Sequence, residues 1–175
     1  MHAAAILCVT LFSAGVTPQV VEQKDPRTRR VETEVRHELM TLPYYGIFDN
    51  LAFRVEPGGV VRLLGQVNRP TLKSDAEGRL KGVPGVERVI NDIEVLPVSP
   101  NDDRIRLDIA RNIYRTETLE RYGFQVNPSI HIIVKNGNVV LEGVVDNETD
   151  KTIAGLKARE VGGVFDVKNK LAVDR

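Results

Sequence analysis

The sequence has 175 residues, in which 24 Lys and Arg residues are balanced by 24 Asp and Glu residues. This balance argues against general nucleic-acid binding, which normally requires a strong basic excess. The single cysteine, Cys8, excludes an intramolecular disulfide and a cysteine-based zinc site, so packing alone must hold the fold together.

The N-terminal segment differs in composition from the rest of the chain. From Ala3 to Val16 it is uncharged and apolar, which is too short for a membrane-spanning helix but typical of a signal-peptide core. Ser13-Ala14-Gly15 offers small residues for cleavage. We predict that residues 1–22 form an export segment, and the alternative is a buried N-terminal helix. Lipidation of Cys8 is disfavoured, because Leu7 precedes it where a small residue is expected.

An internal repeat sets the domain organisation of the remaining chain. Identical residues recur at a constant separation of 78 positions, which predicts two copies of one structural unit. The matched pairs are Gly65 and Gly143, Val67 and Val145, Thr71 and Thr149, Lys73 and Lys151, Ala76 and Ala154, Gly85 and Gly163, Val89 and Val167, Asn91 and Asn169, and Val95 and Val173.

The first copy begins with an amphipathic helix. Its apolar stripe recurs at helical spacing and consists of Val31, Val35, Leu39 and Leu42. A hairpin follows, in which an alternating strand around Phe53 turns at Glu56–Gly59 into a second strand over Val60–Val67. A second helix is predicted from about Pro70 to Lys81, and a strand ending at Val95 closes the unit.

A short linker over residues 98–101 joins the copies. Ser99, followed three residues later by Asp102, has the spacing of a helix capping box. Pro100 falls at the first helical position, where its missing N–H costs nothing. The linker is therefore predicted to be stiff.

The second copy repeats the same order of elements. Ile105, Ile109 and Ile113 form the stripe of its first helix. A strand over Ile130–Val134 turns at Asn136-Gly137, the favoured type I′ signal, into a strand that ends at Val145. The second helix, over Glu148–Arg159, and a last strand complete it.

The order helix, strand, strand, helix, strand predicts an α+β fold. Because a helix separates the second strand from the third, those two strands can lie parallel in a mixed sheet. We therefore predict two tandem α-β-β-α-β sandwiches over residues 28–97 and 102–175, each a three-stranded mixed sheet with two helices on one face.

This pattern resembles the BON domain of bacterial periplasmic and osmotic-stress proteins. The residues that carry the resemblance are Val55–Gly65 and Gly85–Val95 in the first copy, and Val134–Gly143 and Gly163–Val173 in the second. The resemblance implies a location in the bacterial envelope and attachment to phospholipid surfaces or to other envelope proteins, and it implies no catalysis.

Candidates for catalytic chemistry are few. His37 is interpreted as a solvated helix residue, and His131 is expected on the outer face of its strand. Gly65 and Gly143 lie inside strands, where close backbone packing is favoured over a phosphate-binding loop. Asn91 and its repeat partner share the apolar side of a strand, so we expect each to pin a neighbouring backbone segment. No phosphate-binding or metalloprotease motif occurs, and we predict no enzyme activity, cofactor, metal or small-molecule substrate.

The strongest candidate binding surface is the first helix of the second copy. Leu107, Ala110 and Tyr114 widen its apolar arc beyond what one sheet covers, and arginines flank that arc. The predicted lipid-binding or partner-binding residues are Arg104, Arg106, Leu107, Ala110, Arg111 and Tyr114. The alternative is a seam between the copies, in which Leu107 and Tyr114 pack against Met40 and Tyr44-Tyr45.

These observations predict a periplasmic, non-enzymatic binding module that associates peripherally with an anionic phospholipid membrane. The alternative is a protein-protein adaptor or holdase for other envelope proteins, which would use a hairpin edge for strand addition. Neither hypothesis involves nucleic acid.

Overall fold

The computed structural model describes residues 25–124 and 128–174, and the predicted export segment lies outside these residues. The first copy consists of α1 (Pro26–Met40), β1 (Asn50–Glu56), β2 (Val60–Val67), α2 (Pro70–Leu80), β3 (Arg88–Asn91) and β4 (Glu94–Val95). The second consists of α3 (Pro100–Tyr114), a 3-10 turn (Glu120–Tyr122), β5 (Ile130–Lys135), β6 (Asn138–Val145), α4 (Glu148–Arg159), β7 (Asp166–Asn169) and β8 (Ala172–Val173).

The two copies have the same sheet topology. In the first, β1 pairs antiparallel with β2, and both β3 and β4 pair parallel with β2. In the second, β5 pairs antiparallel with β6, and both β7 and β8 pair parallel with β6. The predicted α+β class with two tandem α-β-β-α-β units is confirmed, and the third strand of each unit is broken into two pieces.

One asparagine in each copy explains the broken strand. The Asn91 Nδ2 group donates to the Lys73 carbonyl at 2.9 Å, and its Oδ1 accepts from the N–H of Ile93 at 3.3 Å. Asn169 makes the same two bonds to Lys151, at 2.6 Å, and to Leu171, at 3.2 Å. The side chain thus replaces a backbone partner and ties the strand to a helix, which confirms the predicted pinning role.

The predicted helical stripes form the two cores. Val35 on α1 and Ile109 on α3 are fully buried, and the residues that repeat with them at helical spacing are buried as well. Each helix therefore covers one face of its own sheet, as the 3.6-residue period requires. The core of the first copy also contains Leu63 and Leu72, and that of the second contains Ile132 and Leu141.

Glycine is required at one position in each hairpin. Gly65 and Gly143 have φ values of 108° and 119°, which side chains rarely adopt. A Cβ atom would lie 2.0 Å from the Asn50 carbonyl oxygen in the first copy and 1.9 Å from that of Ser129 in the second. The expected close backbone packing is confirmed.

The linker caps α3 as the sequence predicts, with one difference. The Ser99 side chain accepts from the N–H of Asp102 at 3.2 Å. The Asp102 carboxylate does not complete a reciprocal box, because it accepts from the N–H groups of Asn136 and Gly137 at 2.8 and 2.9 Å. It thereby ties the start of α3 to the β5–β6 turn.

The copies contact each other through the loop between α1 and β1. The N–H of Ile132 on β5 donates to the carbonyl of Ile47 at 2.7 Å. The Tyr45 ring stacks on His131 with centroids 5.5 Å apart, and Phe48 packs against the core of the second copy. His131 does lie on the outer face of its strand, but the first copy half-buries it.

A second contact joins the outer faces of the two sheets. The Lys135 ammonium lies 2.5 Å from the Glu94 carboxylate. Leu96 and Ile133 are only 3% and 4% exposed, and they line the same groove of about 330 Å³ between the sheets. The two copies are therefore docked through apolar as well as charged side chains.

Candidate functional site

The candidate surface lies on α3, where the two sides of the widened apolar arc have different surroundings. Ala110 and Tyr114 are half-buried and pack against the core of the second copy. Leu107 points away from the sheet and is 47% exposed. The arc therefore divides into a covered part and an exposed part.

Arg106 is not available to an external surface. Its side chain is almost fully buried, and its Nη2 group donates to the carbonyl of Val134 on β5 at 2.7 Å. The other end of the guanidinium forms an ion pair with Asp103. This placement could not be predicted from helical spacing alone, because the direction of the Arg106 side chain depends on how α3 lies over β5.

Tyr114 has a structural contact of the same kind. Its hydroxyl donates to the carbonyl of Ile130 at 2.8 Å, and burial raises the pKa of this hydroxyl, which therefore stays protonated. Tyr114 also lines a cleft of about 280 Å³ together with Ile47 of the first copy. Tyr114 and Arg106 thus bind outward carbonyls of β5, while the loop residue Ile47 takes one of its N–H groups.

The seam alternative agrees with the positions of Tyr45 and Tyr114 and disagrees with those of Tyr44 and Leu107. Tyr45 does lie between the copies, where it stacks on His131. Tyr44 is 75% exposed, however, and Leu107 does not contact the first copy core. The copies contact each other through the loop around Ile47, and not through Tyr44 and Leu107 as the seam alternative predicts.

The exposed part of α3 carries one leucine between two cations. Arg104 and Arg111 lie one turn before and one turn after Leu107, and both are about half-exposed. Each forms an ion pair with Asp108, at 3.2 and 2.8 Å. Such exposed pairs are worth only about 0.2–1 kcal/mol, so they do not prevent exchange of Asp108 for another anion. We call Arg104, Leu107 and Arg111 the α3 ridge.

One exposed aromatic residue near this ridge was not predicted. Arg104 also donates to the carbonyl of Gly162 at 3.0 Å, which brings the loop after α4 beside the start of α3. Phe165, three residues further along, is 81% exposed. The sequence offers little to indicate this exposure, because Phe165 follows the apolar Val164 and could equally have been assigned to the core.

The described residues offer little catalytic chemistry. Within residues 25–124 and 128–174, no group of three or more His, Asp or Glu side chains is placed to hold a metal ion. His37 is exposed on α1, and burial between the copies lowers the pKa of His131. No helix in this part of the chain is long and apolar enough to cross a bilayer.

Comparison with protein families identifies one match. The model of the BON domain matches residues 28–97 and 101–175. No curated protein matches the sequence. BON domains are non-catalytic binding domains.

Two solved structures of a Chlamydia trachomatis protein are similar in part. One is the C-terminal domain of CdsD, a structural protein of the type III secretion system, with 13% identity over 82% of this chain and 96% of that one, and a TM-score of 0.34. Another CdsD structure has 12% identity over 83% of this chain and 92% of that one, and a TM-score of 0.29. Neither likeness is close enough to extend the role of CdsD to this chain.

Proposed function

The chain belongs to the BON domain family, and from this premise we propose that it is a non-enzymatic binding module of the bacterial envelope that attaches to anionic phospholipid through the α3 ridge. The observation that carries the proposal is the exposure of Leu107. Its helix neighbours Ala110 and Tyr114 are packed against their own domain, whereas Leu107 is left in solvent between two arginines.

The ridge has the chemistry of a weak membrane contact. Full burial of a leucine is worth about 1.5–3 kcal/mol, so the half of Leu107 that is exposed can contribute about 1 kcal/mol. A cation near an anionic surface adds about 1 kcal/mol, and Asp108 offsets part of the contribution of Arg104 and Arg111. Binding should therefore be reversible, dependent on salt and confined to the membrane surface.

Co-sedimentation of the full chain with vesicles tests the proposal. We expect binding to vesicles that contain phosphatidylglycerol and weaker binding to vesicles of phosphatidylcholine alone. Leu107→Asp should lower the fraction bound at least about 10-fold, because it removes apolar contact and adds an anion. Leu156→Asp is the matched control, since Leu156 is a 52% exposed leucine on α4, outside the ridge.

Two outcomes would contradict the lipid proposal. One is equal binding to anionic and neutral vesicles. The other is an equal loss of binding in Leu107→Asp and Leu156→Asp, which would indicate a general effect of charge. Because both variants retain residues 1–24, any contribution of that segment cancels in the comparison.

An envelope location is part of the same proposal. The family resemblance and the apolar segment from Ala3 to Val16 support it. Fractionation of cells that express the full chain, followed by N-terminal sequencing, tests it. Recovery in the periplasmic or membrane fraction is expected, and recovery in the cytoplasm with residues 1–22 intact would contradict it.

A protein partner is the second candidate, and the edge of the first sheet favours it. Strand β1 lies at that edge and pairs with β2 alone among the strands of the described residues, so its other side is a place where another chain could add a strand. This candidate requires a different surface from the α3 ridge, so the two proposals can be tested separately.

A further inference from the structure

The edge strands of the two sheets differ in how they are covered. On β5, the apolar side chains of Ile130, Ile132 and Val134 are completely buried. The matching residues of β1, which are Leu51, Phe53 and Val55, are only half-buried. The same fold therefore presents one closed edge and one partly exposed edge.

The backbone of the two edges differs in the same way. Pairing of Ala52 and Arg54 with β2 turns the N–H groups of Phe53 and Val55 outward. Among the described residues, neither of these N–H groups has a hydrogen-bond acceptor. On β5, by contrast, the outward N–H of Ile132 is bound by Ile47 of the first copy.

The covered edge of β5 shows which kind of segment can bind at this position of the fold. The segment that covers β5 supplies one carbonyl, from Ile47, and an aromatic side chain, Phe48, that packs against the core behind the strand. An apolar polypeptide segment therefore satisfies both the backbone and the side chains at this position of the fold. At β1, the same loop contributes only the Tyr45 hydroxyl, which is hydrogen-bonded to the Leu51 backbone. Within residues 25–124 and 128–174, no backbone group is bonded to the N–H of Phe53 or Val55.

The charges beside β1 narrow the chemistry of a partner. Arg54 is exposed on the outer face of the strand, and the Arg36 guanidinium lies over the Phe53 ring at 5.7 Å from its centroid. The carboxylates of Glu56 and Asp92 share the Arg62 guanidinium, at 2.8 and 2.6 Å, and neither of these ion pairs includes Arg54. Arg36, Arg54 and Arg62 thus exceed the two carboxylates by one positive charge, and the exposed Arg54 is complementary to a segment that carries an acidic residue.

We propose that the outer edge of β1 binds an extended polypeptide segment with apolar side chains and an acidic residue, which adds a strand to the first sheet. This inference deepens the second candidate function and names the chemistry of its partner. The outward N–H groups of Phe53 and Val55 would donate to the segment, whose apolar side chains would cover the exposed parts of Leu51 and its neighbours.

A labelled peptide that copies residues 43–50 is a suitable probe, because this segment includes Ile47, Phe48 and Asp49 and already contacts a sheet edge in the structure. Binding is measured by fluorescence anisotropy of the labelled peptide as the full chain is added. We expect the anisotropy to rise to saturation. Replacement of the peptide positions equivalent to Ile47 and Phe48 by serine should lower its affinity at least about 10-fold, because the apolar contact is lost.

Two proline variants distinguish peptide binding at β1 from peptide binding at the other edge of the sheet. Val55→Pro removes an outward N–H, which an edge strand tolerates, and it should lower peptide affinity at least about 10-fold. Val89→Pro makes the matching change on β3, the opposite edge of the same sheet, and should leave the affinity within about twofold. Equal losses in both variants, or none in either, would overturn the proposal.

Hydrogen exchange of the unmodified protein tests the same proposal without requiring that the proline variants fold. Added peptide should slow exchange at Phe53 and Val55, and unchanged exchange at saturating peptide would overturn the proposal. A particle of twice the monomer mass that Val55→Pro dissociates would also overturn it, because the occupant would then be a second copy. Val55→Pro should bind anionic vesicles normally, so failure here is distinct from failure of the lipid proposal.

Discussion

Replacement of Asn169 by alanine tests the physical basis of the duplicated fold. The Asn169 side chain donates to the Lys151 carbonyl of α4 and accepts from the N–H of Leu171, so one amide links helix and strand. Leu171 is 1% exposed, and its N–H would have no water to replace the lost acceptor. Asn169→Ala therefore removes two hydrogen bonds and leaves a buried donor unsatisfied.

The expected loss of stability follows from these contacts. A net hydrogen bond contributes about 0.5–1.5 kcal/mol, and a buried donor without a partner costs about 1–3 kcal/mol. Asn169→Ala should therefore lower the free energy of unfolding by about 2–4 kcal/mol. Asn91→Ala should have a similar effect on the first copy, because Asn91 makes the same two backbone contacts.

Urea unfolding followed by far-UV circular dichroism measures this effect, since the chain has no tryptophan. Hydrogen exchange should show that each substitution loosens its own copy first. Asn101→Ala is the control, because Asn101 is exposed and bonds only the exposed Arg104, so its loss should cost below about 0.5 kcal/mol. A cost that small for Asn169→Ala would refute the assigned pinning role.

Two further predictions concern the backbone and the seam. Gly143→Ala should prevent stable folding of the second copy, seen as lost circular dichroism, because its Cβ would overlap the Ser129 carbonyl; Gly162→Ala, which has open space, should retain the signal. Burial lowers the pKa of His131 below its ordinary 6.5, so the neutral form is favoured in the folded protein. The contribution of this site to stability should be complete above pH 6.5 and be lost as the pH falls through the lowered pKa. The melting temperature of His131→Gln should therefore depend less on pH over that range than the melting temperature of the unmodified protein. An equal dependence on pH in both proteins would contradict this assignment.

The repeat and the periodicities predicted most of the fold. Helical stripes such as Ile105, Ile109 and Ile113 are reliable because every member of the stripe is buried by one sheet. The pinning role of Asn91 could be predicted because a polar side chain on an apolar strand face must find a partner nearby. The broken third strand was not predicted, since the same side chain competes with the backbone ladder.

The candidate site was predicted less completely. Leu107 is exposed as expected, but Arg106 is buried against Val134 because α3 lies over the edge of β5. Helix periodicity predicts the direction of a side chain around the helix axis. It does not predict which neighbouring strand that side chain contacts. The seam has the same difficulty, since the loop contact of Ile47 depends on how two separate cores dock.

The environment of residue 107 at a membrane tests the lipid proposal most directly. A Cys8→Ser background with Leu107→Cys allows one environment-sensitive fluorophore to be attached on the α3 ridge, and Leu156→Cys provides the same label on α4. Addition of anionic vesicles should shift the emission of the label at 107 to shorter wavelength and leave the label at 156 unchanged. A label at 107 that stays in water while the protein is bound to vesicles would contradict the proposed orientation.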